Sequence, residues 1–406
     1  MKKMLFVTSS YPYGMGEASF IRPEIAKLSE KFDITIVSRN YTDEQTSELP
    51  ENTKVLRYNS NMSGSQVKHL IKTIFTPYFY GEIVRLVKTK RLNATRLKKA
   101  LKYCMRSFHF ADYLEKIRKD MGESVVLYTY WNDYPVMAFS LIKRKGDNIV
   151  SRAHRIDLYE TKEKGYYLPL KEIANRKTDL IVFISEQGRA YFTEHFKTPA
   201  SKELFRLGVK EQTKNEINTK TNELSVYSFS YVVPVKRLDK IIDALQQIPE
   251  NIKISWTHIG GGGLIDDIMK IAREKLDCKD NITYSFIGAM ENKDALEFIG
   301  KSNFDLLINT SDSEGLPVTM MEAMSFGIPV LGLDVGGVNE IIKNGENGYL
   351  LPADAPISSI TNTLVAYAKL DFIEVQKMHD NAYEMWRSNF HDDNNYEDFA
   401  KRLYNL

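Results

Sequence analysis

The sequence predicts an α/β protein of two doubly wound domains in series. Three observations carry that prediction: a length too great for one core, short apolar runs alternating with amphipathic stretches, and a polar break in mid-chain after which the alternation starts again. At 406 residues, and roughly 100 to 200 residues per domain, the chain folds as two units, three at most. Hydrophobic residues at 43% and charged residues at 27% exclude disorder and low-complexity architecture.

Lys3 to Thr8 reads as a buried parallel strand, a short β-branched run ending at turn residues. A loop from Ser9 to Glu17 follows, then an amphipathic helix carrying Phe20, Ile21, Ile25, Leu28 and Phe32, then a strand at Asp33 to Val37. Further strands are predicted at Val125–Tyr128, Asn148–Val150 and Leu180–Ile184, separated by helical patterns, as in a parallel sheet covered on both faces. After Leu207-Gly208-Val209 comes a polar stretch from Lys210 to Glu216 with no residue suited to a core, read as the interdomain connection.

The second alternation has strands at Leu224–Phe229, Ile252–Ile259, Ile282–Ile287, Asp305–Asn309 and Pro329–Gly332. Helices are expected from about Lys236 to Leu245, from Ile265, from Asn292 and from near Leu316, with the last ones after Pro356. Two such domains are expected to leave a cleft facing the carboxyl ends of both sheets. The final helix, Tyr396 to Leu403, is expected to pack across the domain boundary.

Two cysteines, Cys104 and Cys278, supply neither a disulfide framework nor a four-ligand zinc site, which fits a reducing cytoplasm. The start, Lys2-Lys3-Met4-Leu5-Phe6-Val7, is cut short by Ser9, Ser10, Pro12 and Gly14 and is no secretory signal. No stretch approaches the ~20 apolar residues of a membrane span. The net charge of +2 hides an uneven distribution. From Lys68 to Lys119 fourteen basic residues stand against Glu82, Asp112 and Glu115, so this segment carries +11 and the remainder −9. It also holds Ile71, Ile74, Phe75, Tyr78, Phe79, Ile83, Val84 and Leu86 at helical spacing. That combination suits an interfacial helix on anionic lipid, weighed against a core helix with a solvated outer face. No nucleic-acid motif accompanies the charge.

The most informative stretch is Asn309 to Met324, where a strand ends and a helix begins. The N–H groups of Gly315 and Leu316 are expected at the positive helix end, which is suited to phosphate. Glycine at 315 permits close approach of a ligand, and Pro317 suits a first helical turn. Glu314 and Glu322 are expected roughly 10 to 12 Å apart by helical rise, wider than the ~5 to 9.5 Å of glycosidase carboxylate pairs. Glu322 lies among Met320, Met321, Ala323 and Met324, where a buried charge needs a partner. The plainer alternative is a capping acid at Glu314 and an exposed helix acid at Glu322.

Glu314, seven residues, Glu322, within Ser-Glu-Gly-Leu-Pro…Glu-Ala-Met-Ser-Phe-Gly-Ile-Pro-Val, resembles the donor-binding signature of retaining glycosyltransferases of the GT-B fold, family 4 (glycosyl transferases group 1). Gly336 to Ile342 and Asn344 to Leu351 are also similar to that family. The resemblance implies two Rossmann-like domains facing a central cleft. Residues 1–207 are then the acceptor-binding domain with its basic segment 68–119, 208–222 a linker, 223–388 the nucleotide-sugar donor domain, and 389–406 a helix returning to the first domain.

It also implies roles. In Ser230-Tyr231-Val232-Val233-Pro234-Val235-Lys236-Arg237, Lys236 takes the position of a lysine on the diphosphate. Tyr231 stands where the family usually has an arginine and Ser230 where it has a glycine; Arg237 or the Tyr231 hydroxyl is the substitute contact. Glu314 binds sugar hydroxyls, Gly315, Leu316 and Pro317 border the phosphate or sugar, and Glu322 holds the ribose. His154, in Ser151 to Tyr159 after a strand, resembles the histidine on the donor sugar, with Asp157 orienting its loop. The other histidines are read as structural.

Gly14-Met15-Gly16-Glu17 lacks the third glycine of a dinucleotide fingerprint, and Ser38-Arg39-Asn40 puts no acid after the second strand. The alternative is an NADP site using Arg39, whereas the resemblance implies that Gly14 and Gly16 lie in the family's loop that closes over the reacting centre from the acceptor side. Gly260 to Gly263 and Gly288, in βα turns of the second domain, resemble family positions near the nucleotide, with tight-turn geometry alone as the alternative. With no Asp-x-Asp pair and no metal-ligand spacing, no metal and no cofactor beyond a UDP- or GDP-linked sugar is expected.

The expected activity is thus metal-independent transfer of a sugar, with retention, from a nucleotide-diphosphate sugar to a glycan or lipid-linked acceptor. The setting is bacterial-type cell-surface polysaccharide synthesis, in the cytoplasm or peripherally on the inner face of the plasma membrane, with no nucleic acid as partner. Its rivals are a nucleotide-sugar epimerase of the same architecture and a non-catalytic membrane-surface or glycan-binding protein with a degenerate donor site.

Overall fold

The apolar run at the start forms β1 (Lys2–Thr8), whose neighbours on either side are β2 (Phe32–Ser38) and β4 (Val125–Thr129), both parallel to it. With β3 (Thr53–Arg57), β5 (Asn148–Ala153), β6 (Leu180–Phe183) and β7 (Ser201–Leu204) they make a parallel sheet in the order β3-β2-β1-β4-β5-β6-β7. This computed structural model describes residues 1–14, 17–40, 43–59, 66–160, 166–217 and 222–406. It divides into one unit of Met1–Arg206 with Tyr396–Leu406 and another of Leu207–Asn395.

Alternate residues of the central strands feed two cores, as expected for a sheet buried on both faces. Leu5, Val37 and Leu127 pack with Cys104, Phe108 and Ala111 of α4 (Ala94–Lys119) and Met137 of α5 (Tyr134–Ile142). Met4, Phe6, Ile36 and Tyr128 pack on the opposite side with Ile21, Ile25 and Leu28 of α1 (Ala18–Ser29). Phe399, Ala400 and Leu403 of the C-terminal helix join that second core. α2 (Gln66–Ile74) and α3 (Pro77–Lys88) both lie against α4. α6 (Lys171–Ala174) and α7 (Glu186–His195) complete the unit.

The second unit repeats the plan with six parallel strands: β8 (Glu223–Phe229), β9 (Lys253–Ile259), β10 (Ile282–Gly288), β11 (Leu306–Asn309), β12 (Val330–Leu333) and β13 (Gly348–Leu351). Their order is β10-β9-β8-β11-β12-β13. The helices are α8 (Leu238–Gln246), α9 (Ile265–Leu276), α10 (Asn292–Lys301), α11 (Val318–Ser325), α12 (Val338–Ile341), α13 (Ile357–Tyr367) and α14 (Phe372–Asn389). α15 (Asp392–Tyr404) ends the chain. Trp256, Ile241, Leu245 and Leu364 centre the core.

Several expectations shift. The helix expected from Lys236 begins at Leu238, because Pro234–Lys236 forms a 3₁₀ turn and Arg237 takes φ +50°. The helix expected near Leu316 begins at Val318, with Pro317 extended before it at φ −72° and ψ 114°. The stretch from Lys210 to Glu216, expected to stand apart as a connection, is tied to the second unit. Val209 bridges to His391, the Tyr383 hydroxyl bonds Glu211, and buried Asn215 bonds the Ile299 carbonyl at 3.2 Å. Its polar side chains are used in packing, which a hydropathy pattern does not register. Among the described residues no helix is long and apolar enough to cross a membrane.

Candidate functional site

The strand order of the second sheet reverses between β8 and β11. The loops leaving their carboxyl ends therefore flank the crevice where open α/β sheets hold ligands. One loop ends in the 3₁₀ turn that carries Lys236, and the other contains Glu314. Lys236 Nζ donates to Glu314 Oε1 at 2.6 Å, and Asn309 Nδ2 reaches the same oxygen at 3.4 Å. Glu314 is buried. The loops are pinned by the Asp312 N–H on the Val235 carbonyl at 2.9 Å and by the Thr310 hydroxyl on the Arg237 carbonyl at 2.9 Å.

Behind Glu314 runs the Gly336-Gly337 turn. Gly336 has φ +58°, and a Cβ there would lie 1.9 Å from the Glu314 carbonyl oxygen. The Gly337 N–H donates to the Gly315 carbonyl at 2.6 Å. Glycine at 336 is thus required on both conformational and steric grounds. Among the described residues no backbone acceptor takes the N–H of Gly315 or Leu316, so both amides remain available to an anion before α11. Leu316 and Pro317 themselves are buried.

Glu322, in α11, is 4% exposed. Its Oε1 accepts from Asn292 Nδ2 at 2.8 Å, while its Oε2 is buried without a partner, as is the Tyr227 hydroxyl that feels its charge. Burial raises the Glu322 pKa to about 7, moderated by the Asn292 hydrogen bond. An orphaned buried acceptor suits a hydroxyl donor from a ligand.

Arg237 is not available as a phosphate ligand, because its guanidinium is held by Asp239 at 2.8 Å and Asp312 at 3.0 Å. Tyr231 is 67% exposed. Ser230 is held by its N–H on the Ile259 carbonyl at 3.1 Å, and a Cβ at Gly260 would lie 1.9 Å from the Ser230 carbonyl oxygen. Gly288 has φ +87° and accepts the Gly260 N–H at 2.9 Å.

In the first unit the order reverses between β1 and β4. His154 follows β5 and is 8% exposed. Its Nε2 lies 3.1 Å from the Tyr130 carbonyl, an acceptor, so the proton is assigned to Nε2 and the lone pair to Nδ1. Burial, then the nearby Arg152 cation, lowers its pKa to about 3, so the ring is neutral at physiological pH. Tyr130 and Trp131 flank it at centroid distances of 4.8 and 4.6 Å. Asp157 accepts the N–H groups of His154 at 2.6 Å and Asn132 at 2.5 Å, which ties the His154 loop to the loop after β4. Burial raises its pKa to about 6, opposed first by Lys171.

Glu17 is a residue that the sequence patterns do not single out. Its carboxylate accepts the N–H groups of Ser9 at 3.1 Å, Ser10 at 2.5 Å and Tyr11 at 2.9 Å, and the indole N–H of Trp131. It therefore joins the loop after β1 to the aromatic wall beside His154. Its one signal in sequence is an acid at the foot of a helix after a glycine-bearing loop. Gly14 lies in that loop with φ +65°; Gly16 lies outside the described residues. The one compact group of potential metal ligands among the described residues, His391, Asp392 and Asp393, includes none of these residues.

Residues 209–385 match the family model described as glycosyl transferases group 1. Over 181 residues the chain is 26% identical to the N-acetyl-alpha-D-glucosaminyl L-malate synthase of Bacillus anthracis, covering 45% of this chain and 44% of that protein. Over 268 residues it is 25% identical to the poly(ribitol-phosphate) alpha-N-acetylglucosaminyltransferase of Staphylococcus aureus, covering 63% and 52%. The chain thus spans about half the length of these curated relatives. In fold it is similar to HepE of Anabaena, solved with UDP and glucose, at a TM-score of 0.68 and 17% identity over the full length of both chains. Residues 209–385 are thus similar to glycosyl transferases group 1, and the two doubly wound sheets are those of the GT-B fold.

Proposed function

We propose that the protein is a retaining, metal-independent glycosyltransferase that uses a UDP- or GDP-linked sugar and a glycan or lipid-linked acceptor in cell-surface polysaccharide synthesis. The observation that carries this reading is the Lys236–Glu314 pair at the switch point of the second sheet, beside the free amides of Gly315 and Leu316. Lys236 and those amides hold the diphosphate and offset the charge that develops as it leaves. Glu314 takes sugar hydroxyls, the unpartnered Oε2 of Glu322 takes a ribose hydroxyl, and Ser230, Tyr231 and Gly288 border the nucleotide. Arg237 positions Asp312 and so the Glu314 loop. From the first unit, neutral His154 serves the donor sugar, with Gly14 in the loop on the acceptor side.

The bond from the anomeric carbon to the leaving phosphate oxygen breaks while a bond to the acceptor hydroxyl oxygen forms on the same face. The acceptor's proton passes to the leaving phosphate oxygen, so no protein nucleophile is required. The UDP and glucose bound by HepE and the polymeric acceptor named for the staphylococcal relative support this donor and acceptor chemistry. A cytoplasmic site on the inner face of the plasma membrane fits a lipid-linked acceptor and the basic charge within the first unit. The test is turnover of a panel of UDP- and GDP-sugars, with the product's anomeric configuration read by NMR. An inverted product refutes retention, and conversion of one nucleotide sugar into its epimer refutes transfer.

A further inference from the structure

The helices α2 and α3 expose apolar residues where a helix in water presents polar ones. Each buries one face: His69 and Thr73 on α2, Glu82 and Leu86 on α3. On the opposite face of α2 stand Val67, Ile71 and Ile74, with Phe75 in the turn that follows, exposed by 70, 52, 40 and 83%. On that of α3 stand Tyr80, Val84 and Val87, exposed by 52, 51 and 55%. Both sets follow the i, i+4, i+7 spacing of one helical stripe. With Leu92 these are eight of the sixteen exposed large hydrophobic side chains among the described residues, gathered in 26 consecutive residues, so the clustering is not the scattered exposure normal for soluble proteins.

The charge around the stripes is mostly positive, although Asp112 of α4 pairs with Lys68 at 2.7 Å and Lys72 at 3.5 Å. Between Gln66 and Leu92 lie six Lys and Arg residues and a single acid, Glu82. That acid is buried and bound by Arg85 at 2.7 Å. Lys88 and Lys90 are exposed, and among the described residues neither has an ion-pair partner. The rest of the basic segment is different. α4 buries Tyr103, Cys104, Phe108, Phe110 and Leu114, and even Arg118, paired with Asp147 at 2.5 Å. The expectation that the whole stretch 68–119 is interfacial is therefore narrowed to residues 67–92, and Leu86 moves from the expected lipid face into the core.

We infer that α2 and α3 form a docking face for an anionic membrane surface, with Phe75 and Ile71 entering the acyl boundary and Lys88 and Lys90 meeting lipid headgroups. Apolar burial and cationic attraction add in such a helix pair. A second copy of the chain is the poorer occupant, because a self-complementary contact would set the same cations against one another. This inference stands on the solvent face of two helices and not on the donor site, so it can fail while nucleotide binding survives.

The test is co-sedimentation of the full chain with phosphatidylcholine vesicles, with and without phosphatidylglycerol. Binding is expected to rise with phosphatidylglycerol, to weaken with salt, and to fall by about tenfold or more in Ile71→Ser/Phe75→Ser and in Lys88→Glu/Lys90→Glu. All four positions are exposed, so melting temperature and UDP or GDP affinity stay at wild-type values. Absence of binding to anionic vesicles, equal binding to neutral ones, or wild-type binding by both variants overturns the inference. So does a dimer in light scattering that Ile71→Ser/Phe75→Ser converts to monomer.

Discussion

The ammonium of Lys236 lies 2.6 Å from the carboxylate of Glu314, so the cation assigned to the diphosphate is held by the acid assigned to the sugar. A bound diphosphate competes with Glu314 for that cation. Lys236→Met is therefore expected to lower UDP or GDP affinity about 10- to 100-fold, the loss of one charge-assisted contact. Glu314→Ala should leave that affinity equal or higher while slowing transfer at least tenfold. Titration calorimetry and initial rates on the two variants separate the roles; parallel losses in both would mean that the residues act as one unit.

Glu322 makes stability depend on pH. Its folded pKa of about 7 exceeds the usual carboxylate value because burial penalises the charge. Between pH ~4.5 and ~7 the unfolded chain is ionised while the folded chain holds the proton, so stability falls as pH rises through this window. The cost is on the order of 3 kcal/mol at full ionisation. Glu322→Gln should raise the melting temperature of the second unit at pH 8 by several degrees, lose that advantage below pH ~4.5, and weaken nucleoside binding. A melting difference that does not change with pH would refute the assignment.

Glu17 and Trp131 act on the first unit alone. Glu17→Ala strips an acceptor from three backbone N–H groups and the indole, a loss of about 2 to 4 kcal/mol. Transfer should slow, while UDP or GDP affinity stays within about twofold, because the diphosphate contacts belong to the second unit. Rescue of the rate by Glu17→Gln, which retains only part of the acceptor set, should be incomplete. A change in nucleotide affinity would contradict this division.

Gly336→Ala places a Cβ against the Glu314 carbonyl at a backbone angle that disfavours side chains. A stability loss above about 1 kcal/mol is expected together with a donor KM increase, whereas Gly345→Ala, with a similar φ of +79° and open space around it, should cost stability with no effect on KM. Denaturant unfolding and donor kinetics on the pair check this.

EDTA should leave the transfer rate unchanged if Lys236 and the amides before α11 suffice for the leaving group. A rate restored only by added Mg²⁺ or Mn²⁺ would contradict metal independence.

The central strands β1, β4, β6 and β11 are readable because they are flanked on both sides and appear as short apolar runs, and β8, interrupted by Ser225 and Ser228, still carries Leu224, Val226, Tyr227 and Phe229. Strands β3 and β7 are not legible in the sequence: at the sheet edges, Thr-Lys-Val-Leu-Arg and Ser-Lys-Glu-Leu are half exposed and carry no such signature. Lys236, Glu314 and Glu322 stood out through motif spacing. Glu17 did not, since its partners lie upstream at Ser9, Ser10 and Tyr11 and far downstream at Trp131, a convergence that only the folded chain creates. Likewise the sequence offers Arg237 as a spare phosphate ligand, whereas in the fold Asp239 and Asp312 hold its guanidinium. Composition marked residues 68–119 as one basic block, but which faces are covered depends on α4, so the split between core and exposed helices was beyond its reach.

The most direct measurement of the central claim is titration calorimetry of the full chain with UDP and GDP, wild type beside Lys236→Met. A donor site at Lys236 and Glu314 predicts binding of one of the two nucleotides and its loss by at least about tenfold in the variant. No binding of either nucleotide, or equal binding by both proteins, would contradict it.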